Sequence, residues 1–339
     1  MIKDAGRVEG GHLGEFELIA RYFAPLADDA AALALRDDAA VLRPPESREI
    51  VISCDTIVAG VHFLPGDPPE TIAHKALAVN LSDLAAKGAK PYVYLLALAL
   101  PGEPAPAWLE AFASGLGRLQ EQAGICLVGG DTTRTPGPLT ITITALGLVP
   151  QGHAVLRLGA KPGDRLYVSG SIGDACLGLR LLQDPALAAV WNLAEQDTTF
   201  LTGRYRCPEP RSTLALLVRN FAQGAIDVSD GLVGDVQKLA QVSHVGASIE
   251  TARVPFSSAA RKALKREPKL LATLITAGDD YEIVAAVPEA SASAFEAEAA
   301  AKGATLTMIG RIEEEVGAVR VVGPDGKTLA LGRSGFAHF

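Results

Sequence analysis

The longest strongly apolar run in the chain, YVYLLALAL at residues 92–100, covers nine positions. A helix that crosses a bilayer needs roughly 20 apolar residues, so this run is expected to be a core strand and the chain to have no membrane span. The other apolar residues fall in short blocks separated by glycine, proline and aspartate, as in a fold of alternating strands and helices. Of the 339 residues, 48% are hydrophobic and 21% charged, enough apolar material for substantial cores, and the length favours two domains. That composition excludes disorder as the main state.

Charge narrows the partners. There are 31 Lys and Arg against 39 Asp and Glu, a formal net charge of −8, so no general attraction to nucleic acid or an anionic membrane exists. The four cysteines, Cys54, Cys126, Cys176 and Cys207, form neither a CxxC nor a zinc-ligand cluster and read as ordinary thiols of a reducing compartment. Residues 1–23 carry acids and glycines where a secretory signal needs a continuous apolar segment, so cytoplasmic residence is the expectation.

Periodicity predicts helices over residues 15–24, 71–87 and 108–123, and strands over 50–54, 92–100, 125–128 and 139–149. Gly129-Gly130 is expected to mark a turn after the third strand. Turn residues near 150–163 divide the chain into units of 1–150 and 151–339. The second unit is expected to hold a strand at 165–169, helices at 174–182, 212–221, 232–242 and 257–267, and strands at 281–287 and 305–312 around an alanine-rich helix at 289–302. Several strand pairs lack an intervening helix, which predicts mixed or antiparallel sheets and an α/β (α+β) class.

The chemistry is expected in a series of aspartates beside turns: Asp37-Asp38, Asp55, Asp83, Asp131, Asp227, Asp230 and Asp279-Asp280. Hard cations such as Mg²⁺ take oxygen ligands and bridge carboxylates to phosphate oxygens. Any one of these acids alone is as readily a helix cap or a solvated side chain, and only tertiary structure can bring them together. In SCDT, Ser53 and Asp55 stand around the end of a strand, where carboxylate and hydroxyl or carbonyl oxygens can share a site, and because adjacent strand residues point to opposite faces not every acid can reach one cation. In NLSDLAAKGAKP, Asp83 lies on a helix about one turn from Asn80 and Lys87, and in IDVSDG, Asp227 and Ser229 share a face while Asp230 enters a turn. GGDTTR sets small residues beside Asp131 without forming a Walker A loop, and KPGDRLYVSGSIGD contains no dinucleotide fingerprint. His62 in GVHF is either a ligand contact or part of a semi-buried polar network.

Taken in order, GEFELIARYF, RDDAA, ISCDT, GVHF, KALAVNLSDLAAKGAKP, VGGDTTR, IDVSDGL, GDDYEI and GFAHF closely resemble the thiamine-monophosphate kinase family over nearly the whole chain. The resemblance implies a two-domain fold related to the aminoimidazole-ribonucleotide synthetases, dimerisation through the N-terminal domains, and ATP-dependent, Mg²⁺-dependent phosphorylation of thiamine phosphate to thiamine diphosphate. Carried over residue by residue, it assigns Asp38, Asp55, Asp83, Asp131 and Asp227 to magnesium, with Ser53 and Cys54 beside the first metal cluster and Asp230 as a further contact. It assigns Gly130, Asp131, Arg157 and Ser229 to the nucleotide, and His62, Asp279 and Phe336 to thiamine phosphate.

Three positions depart from the family pattern. Arg36 stands where glycine is common, Cys54 replaces a threonine, and Asp279 replaces a glutamate and shortens its reach by one methylene. The expected mechanism is direct in-line transfer without a phosphoenzyme. The alternatives are another ATP-using synthetase of the same superfamily and a noncatalytic nucleotide-binding scaffold.

Overall fold

The computed structural model describes residues 14–37, 39–332 and 334–335. Asp38 and Phe336, both assigned above, lie outside the described residues. The first half runs α1 (Glu15–Leu18), β1 (Arg48–Val58), α2 (Pro69–Ala86), β2 (Lys90–Leu100), α3 (Pro106–Ala123), β3 (Cys126–Arg134) and β4 (Thr140–Pro150). The helix expected over 15–24 is only α1, continued as a π-helical turn at Ile19–Phe23.

The four strands form one sheet in the order β1-β4-β2-β3, antiparallel except for the β2-β3 pair, which α3 connects by a crossover. On its inner face Ile57, Leu96, Leu98, Ile141 and Ile143 pack against Leu77, Leu81 and Leu84 of α2 and Leu109, Phe112 and Leu116 of α3. The outer face is covered in part, where Ala27 and Ala32 meet Val93, Val128 and Leu146. Ile52 and Leu95 remain exposed beyond that cover.

The expected turn at Gly129-Gly130 does not occur. Both glycines lie inside β3, opposite an irregularity in the ladder between Tyr94 and Leu95. Gly130 has φ +155°, and a Cβ built on it would stand 1.8 Å from the Leu96 carbonyl oxygen, so this close approach of two backbones requires glycine.

The second half runs β5 (Arg165–Ser169), α4 (Asp174–Gln183), α5 (Leu187–Val190), α6 (Glu195–Arg206), α7 (Ala215–Phe221), β6 (Gly224–Asp227), α8 (Leu232–Val242), β7 (Gly246–Glu250), α9 (Ser258–Arg266), α10 (Leu270–Thr276), β8 (Ile283–Val287), α11 (Ala292–Ala301), β9 (Leu306–Glu313) and β10 (Val319–Val322). Its sheet has the order β10-β7-β9-β5-β8-β6, with only β10 and β7 parallel. Leu232, Val236 and Leu239 of α8 cover one face, and Leu217, Val218 and Phe295 of α7 and α11 cover the other. Among the described residues no helix is long and apolar enough to cross a membrane.

Helix α2 joins the two halves. It starts on a proline at its first turn, is rich in alanine, and buries polar as well as apolar positions, with Lys75, Asn80 and Ser82 all shielded from solvent. A helix buried all round must satisfy its polar side chains internally. Two of those of α2, and its C-terminal cap Lys87, reach across to the second half: Ser82 Oγ donates to Asp227 at 2.9 Å, Lys87 Nζ to the Ala225 carbonyl at 2.8 Å, and Lys75 Nζ to Asp279 at 2.9 Å.

Candidate active site

Strand β1 alternates its side chains, so Ser53 and Asp55 point inward to α2 while Cys54 points outward. The Ser53 hydroxyl donates to Asp83, and the Asp55 backbone N–H donates to Asn80 Oδ1 at 3.2 Å. Asp83 and Asn80 are one helical turn apart on α2, and together they fix the end of β1 that carries Asp55. From the other side, β6 ends at Asp227 and the chain turns into α8. There the Asp235 carboxylate accepts from the N–H groups of Asp230 and Gly231 at 2.9 and 3.1 Å, capping the turn.

These elements enclose a cavity of about 580 Å³. Asp55, His62, Asp83, Arg157, Asp227, Ser229, Asp230 and Asp279 all line it, so eight of the residues singled out from sequence converge. The Val58 N–H donates to His62 Nδ1 at 3.0 Å, so a neutral ring carries its proton on Nε2. Gly130 and Asp131 are elsewhere. They lie on β3, at the sheet edge opposite β1, where Asp131 pairs with Ala97 of β2. Cys54 is on the outer face of the sheet, its sulfur accepting from Thr144 Oγ1 at 3.2 Å.

The cavity is electrostatically crowded. Burial first, then the charge and hydrogen bond of Asp83 and the charge of Asp230, push the Asp55 carboxyl up to about 6. Burial drives Asp227 well above the usual carboxylate range, with Asp83, Asp235 and Asp55 adding to it against the Ser82 hydrogen bond. Behind them Lys87 is pushed down to about 8, chiefly by burial and then by Arg157.

Among the described residues no three His, Cys, Asp or Glu side chains form a ready-made metal cage. The donor set nevertheless fits a hard cation: carboxylates from β1, α2 and β6 face one space and offer only oxygen ligands. The cation that sequence reasoning missed is Lys238 on α8, which lines the cavity and pairs with Asp230 and, at 2.8 Å, with Asp235. Its only signal in the sequence is its place one helical turn after Asp235. Tyr281 and residues 276–278 also form part of the wall.

Asp280, grouped with Asp279 by sequence, has a separate role. It is fully buried, accepts from the Gly173 N–H at 2.7 Å and holds the start of α4. Glu282 is buried as well, with Arg204 at 2.8 Å and Arg211 at 2.5 Å.

Two family models cover most of the chain: AIR synthase related protein, N-terminal domain, over residues 36–149, and AIR synthase related protein, C-terminal domain, over residues 161–323. The thiamine-monophosphate kinase of Escherichia coli K12 is 41% identical over 328 residues, covering 96% of this chain and 98% of its own. That of Caulobacter vibrioides is 43% identical over 328 residues, covering 96% and 90%. The crystal structure of thiamine-monophosphate kinase from Stenotrophomonas maltophilia K279a superimposes with a TM-score of 0.82 at 40% identity, over 94% of this chain and 98% of that one. AaThiL complexed with AMPPCP and TMP superimposes with a TM-score of 0.76 at 30% identity, over 96% and 97%. On its two sheets, its converging acids and these matches, the chain belongs to the thiamine-monophosphate kinase family, built on the two-domain fold of the AIR-synthase-related proteins.

Proposed function

We propose that the chain transfers the γ-phosphoryl group of ATP to thiamine phosphate, yielding thiamine diphosphate and ADP. The observation that carries this reading is the meeting in one cavity of Asp55 and Asp83 from the first half with Asp227 and Asp230 from the second, beside Arg157 and Lys238. Carboxylates that can hold a cation, set beside positive side chains, are what two phosphate-bearing substrates need. The ligand classes follow from the AMPPCP and TMP of the AaThiL complex.

In the proposed reaction a terminal oxygen of thiamine phosphate, already ionised near neutral pH, attacks the γ-phosphorus in line with the bridging oxygen. The new P–O bond forms as the β–γ bridging bond breaks, and ADP departs with that electron pair. No side-chain nucleophile and no general base are required. Arg157, Ser229, Gly130 and Asp131 serve the nucleotide, and His62, Asp279 and Phe336 serve thiamine phosphate. Asp279, an anion on the cavity wall held by Lys75, is suited to the cationic thiazolium. The residues that would hold Mg²⁺ are Asp38, Asp55, Asp83, Asp131, Asp227 and Asp230, with Ser53 and the backbone of Cys54. When bound, Mg²⁺ supplies neutralisation and orientation of the phosphate oxygens.

In this reading residues 1–150 provide nucleotide and metal contacts and the dimer interface, and residues 151–339 add metal, nucleotide and substrate contacts. Two copies meet through the outer face of the first sheet. Support for that comes from Ile52, 63% exposed, and Leu95, 38% exposed, on the part of that sheet face that Ala27 and Ala32 leave uncovered. Asp131 and Cys54 then lie within the interface, where Asp131 acts. The four cysteines form no disulfide among the described residues, which agrees with a cytoplasmic enzyme.

Chromatography of purified protein incubated with ATP, Mg²⁺ and thiamine phosphate tests the function. Thiamine diphosphate that appears only with all three is the expected product. ATP turnover indifferent to thiamine phosphate, or phosphorylation of free thiamine in its place, would overturn the assignment.

A further inference from the structure

Lys75 takes no part in the reaction proposed above, yet its side chain is only 1% exposed in the middle of α2. An ammonium group is expensive to bury unless a counter-charge is held against it. Here Lys75 Nζ donates to Asp279 Oδ2 at 2.9 Å and stands 4.0 Å from the centre of the Tyr205 ring. The ion pair therefore crosses from the first half of the chain to a carboxylate on the cavity wall.

That carboxylate sits on a tightly determined piece of backbone. Asp279 and Tyr281 have φ of +74° and +51°, a region that non-glycine residues occupy only when neighbours compel them. The Asp279 N–H donates to the Ser229 carbonyl at 2.9 Å and the Tyr281 N–H to the Val228 carbonyl at 2.8 Å, while Asp280 between them is anchored on Gly173. The second oxygen of Asp279 accepts from the Tyr281 hydroxyl at 3.2 Å. Both carboxylate oxygens thus have a protein partner, and the side chain is 28% exposed.

We propose that Lys75 is a positioning residue for thiamine phosphate: it fixes the Asp279 carboxylate, across the join between the two halves, in the one orientation that meets the cationic part of the substrate. This rests on the assignment of Asp279 to thiamine phosphate made above. Lys75 touches neither substrate. Its removal therefore weakens binding of one substrate and leaves the phosphoryl step and ATP binding as they were.

The test is a kinetic cycle of Lys75→Met, Asp279→Asn and the double variant, with Lys75→Arg as the charge-conserving control. Lys75→Met is expected to raise KM for thiamine phosphate by about tenfold or more, with kcat and KM for ATP held to within about twofold. Lys75→Arg recovers part of the loss. The double variant is expected to match Asp279→Asn alone, because a lysine that acts only through Asp279 has nothing left to orient. A rise in both KM values, a loss confined to kcat, or a double variant worse than Asp279→Asn by the Lys75→Met factor overturns the positioning role.

If Asp279→Asn leaves KM for thiamine phosphate unchanged, the assignment of Asp279 itself fails, and the inference with it. If that variant raises KM and Lys75→Met does not, only the inference fails. Should Lys75→Met alone not fold, the double variant, which keeps neither charge, is compared with Asp279→Asn, whose amide oxygen can still accept from the buried Lys75 ammonium, and that comparison decides.

Discussion

Replacing Asp55 by asparagine is expected to stabilise the metal-free protein while disabling the enzyme. The cause is the crowding around Asp55, whose carboxyl is raised from 3.8 to about 6 by burial and by Asp83 and Asp230. A carboxyl raised in the folded state holds its proton more tightly there than in the unfolded chain. The folded state therefore loses stability as pH rises from 3.8 to about 6, and the loss is complete above that window. The shift corresponds to about 3 kcal/mol, and partial contact with water reduces what the substitution would recover to about 1–2 kcal/mol. At about pH 7.5 in chelator, that amounts to a Tm increase of roughly 1–4 °C for a chain of this length. At about pH 5, inside the window, about half of the advantage remains, because the unfolded carboxyl is ionised while the folded one still holds its proton. Turnover with Mg²⁺ is expected to fall by about 100-fold or more, because charge stabilisation of the transferring group is lost. Thermal denaturation at the two pH values, with and without Mg²⁺, measures the first effect, and initial rates measure the second. A variant less stable than the parent in chelator at neutral pH, or equally advantaged at both pH values, would refute the crowding argument.

Three further perturbations test other parts of the structure. Lys87, pushed down to about 8 from 10.5, is a base that the folded state holds neutral more readily than the unfolded chain does, so stability should rise with pH between those values. Lys87→Met should flatten that slope in a series of melting curves. Glu282→Gln leaves Arg204 and Arg211 without their buried counter-charge and is expected to destabilise the protein by about 3–5 kcal/mol, read by chemical denaturation. Ile52→Asp puts a charge in the exposed apolar face of β1 and should turn the proposed dimer into a monomer in sedimentation, with the monomer still folded by circular dichroism. An unchanged dimer would move the interface elsewhere.

Much of the architecture is legible in local pattern. Helix α8 covers the expected 232–242 because Leu232, Val236 and Leu239 recur on one face and Asp235 caps its start. β2 is announced by its apolar run, which the structure extends to Lys90–Leu100. Helix α6 is invisible to periodicity because EQDTTFLTGRYR has almost no apolar stripe, and it is held by buried polar groups, Asp197 and Arg204 among them. The glycine pair in β3 reads as a turn because its cause is the Leu96 carbonyl on the neighbouring strand, which no local rule contains.

The site divides in the same way. Asp55, Asp83, Asp227 and Asp279 stand out because each is an acid beside a turn or near the end of a strand or helix, where a functional carboxylate is easily placed. Lys75 and Lys238 do not stand out, since a lysine on a helix is usually solvated, and only the packing of α2 and α8 turns them inward to face acids. The separate place of Asp131 is equally hidden, because strand order, not spacing, sets β3 at the edge opposite β1.

The most direct measurement follows the phosphoryl group itself. ATP labelled in its γ-phosphate is incubated with the purified chain, Mg²⁺ and thiamine phosphate, and the label is located at successive times. It is expected in the terminal phosphate of thiamine diphosphate, one for each ADP formed, and nowhere on the protein. Label released only as inorganic phosphate, or ADP formed without thiamine diphosphate, would contradict a kinase built on this cavity.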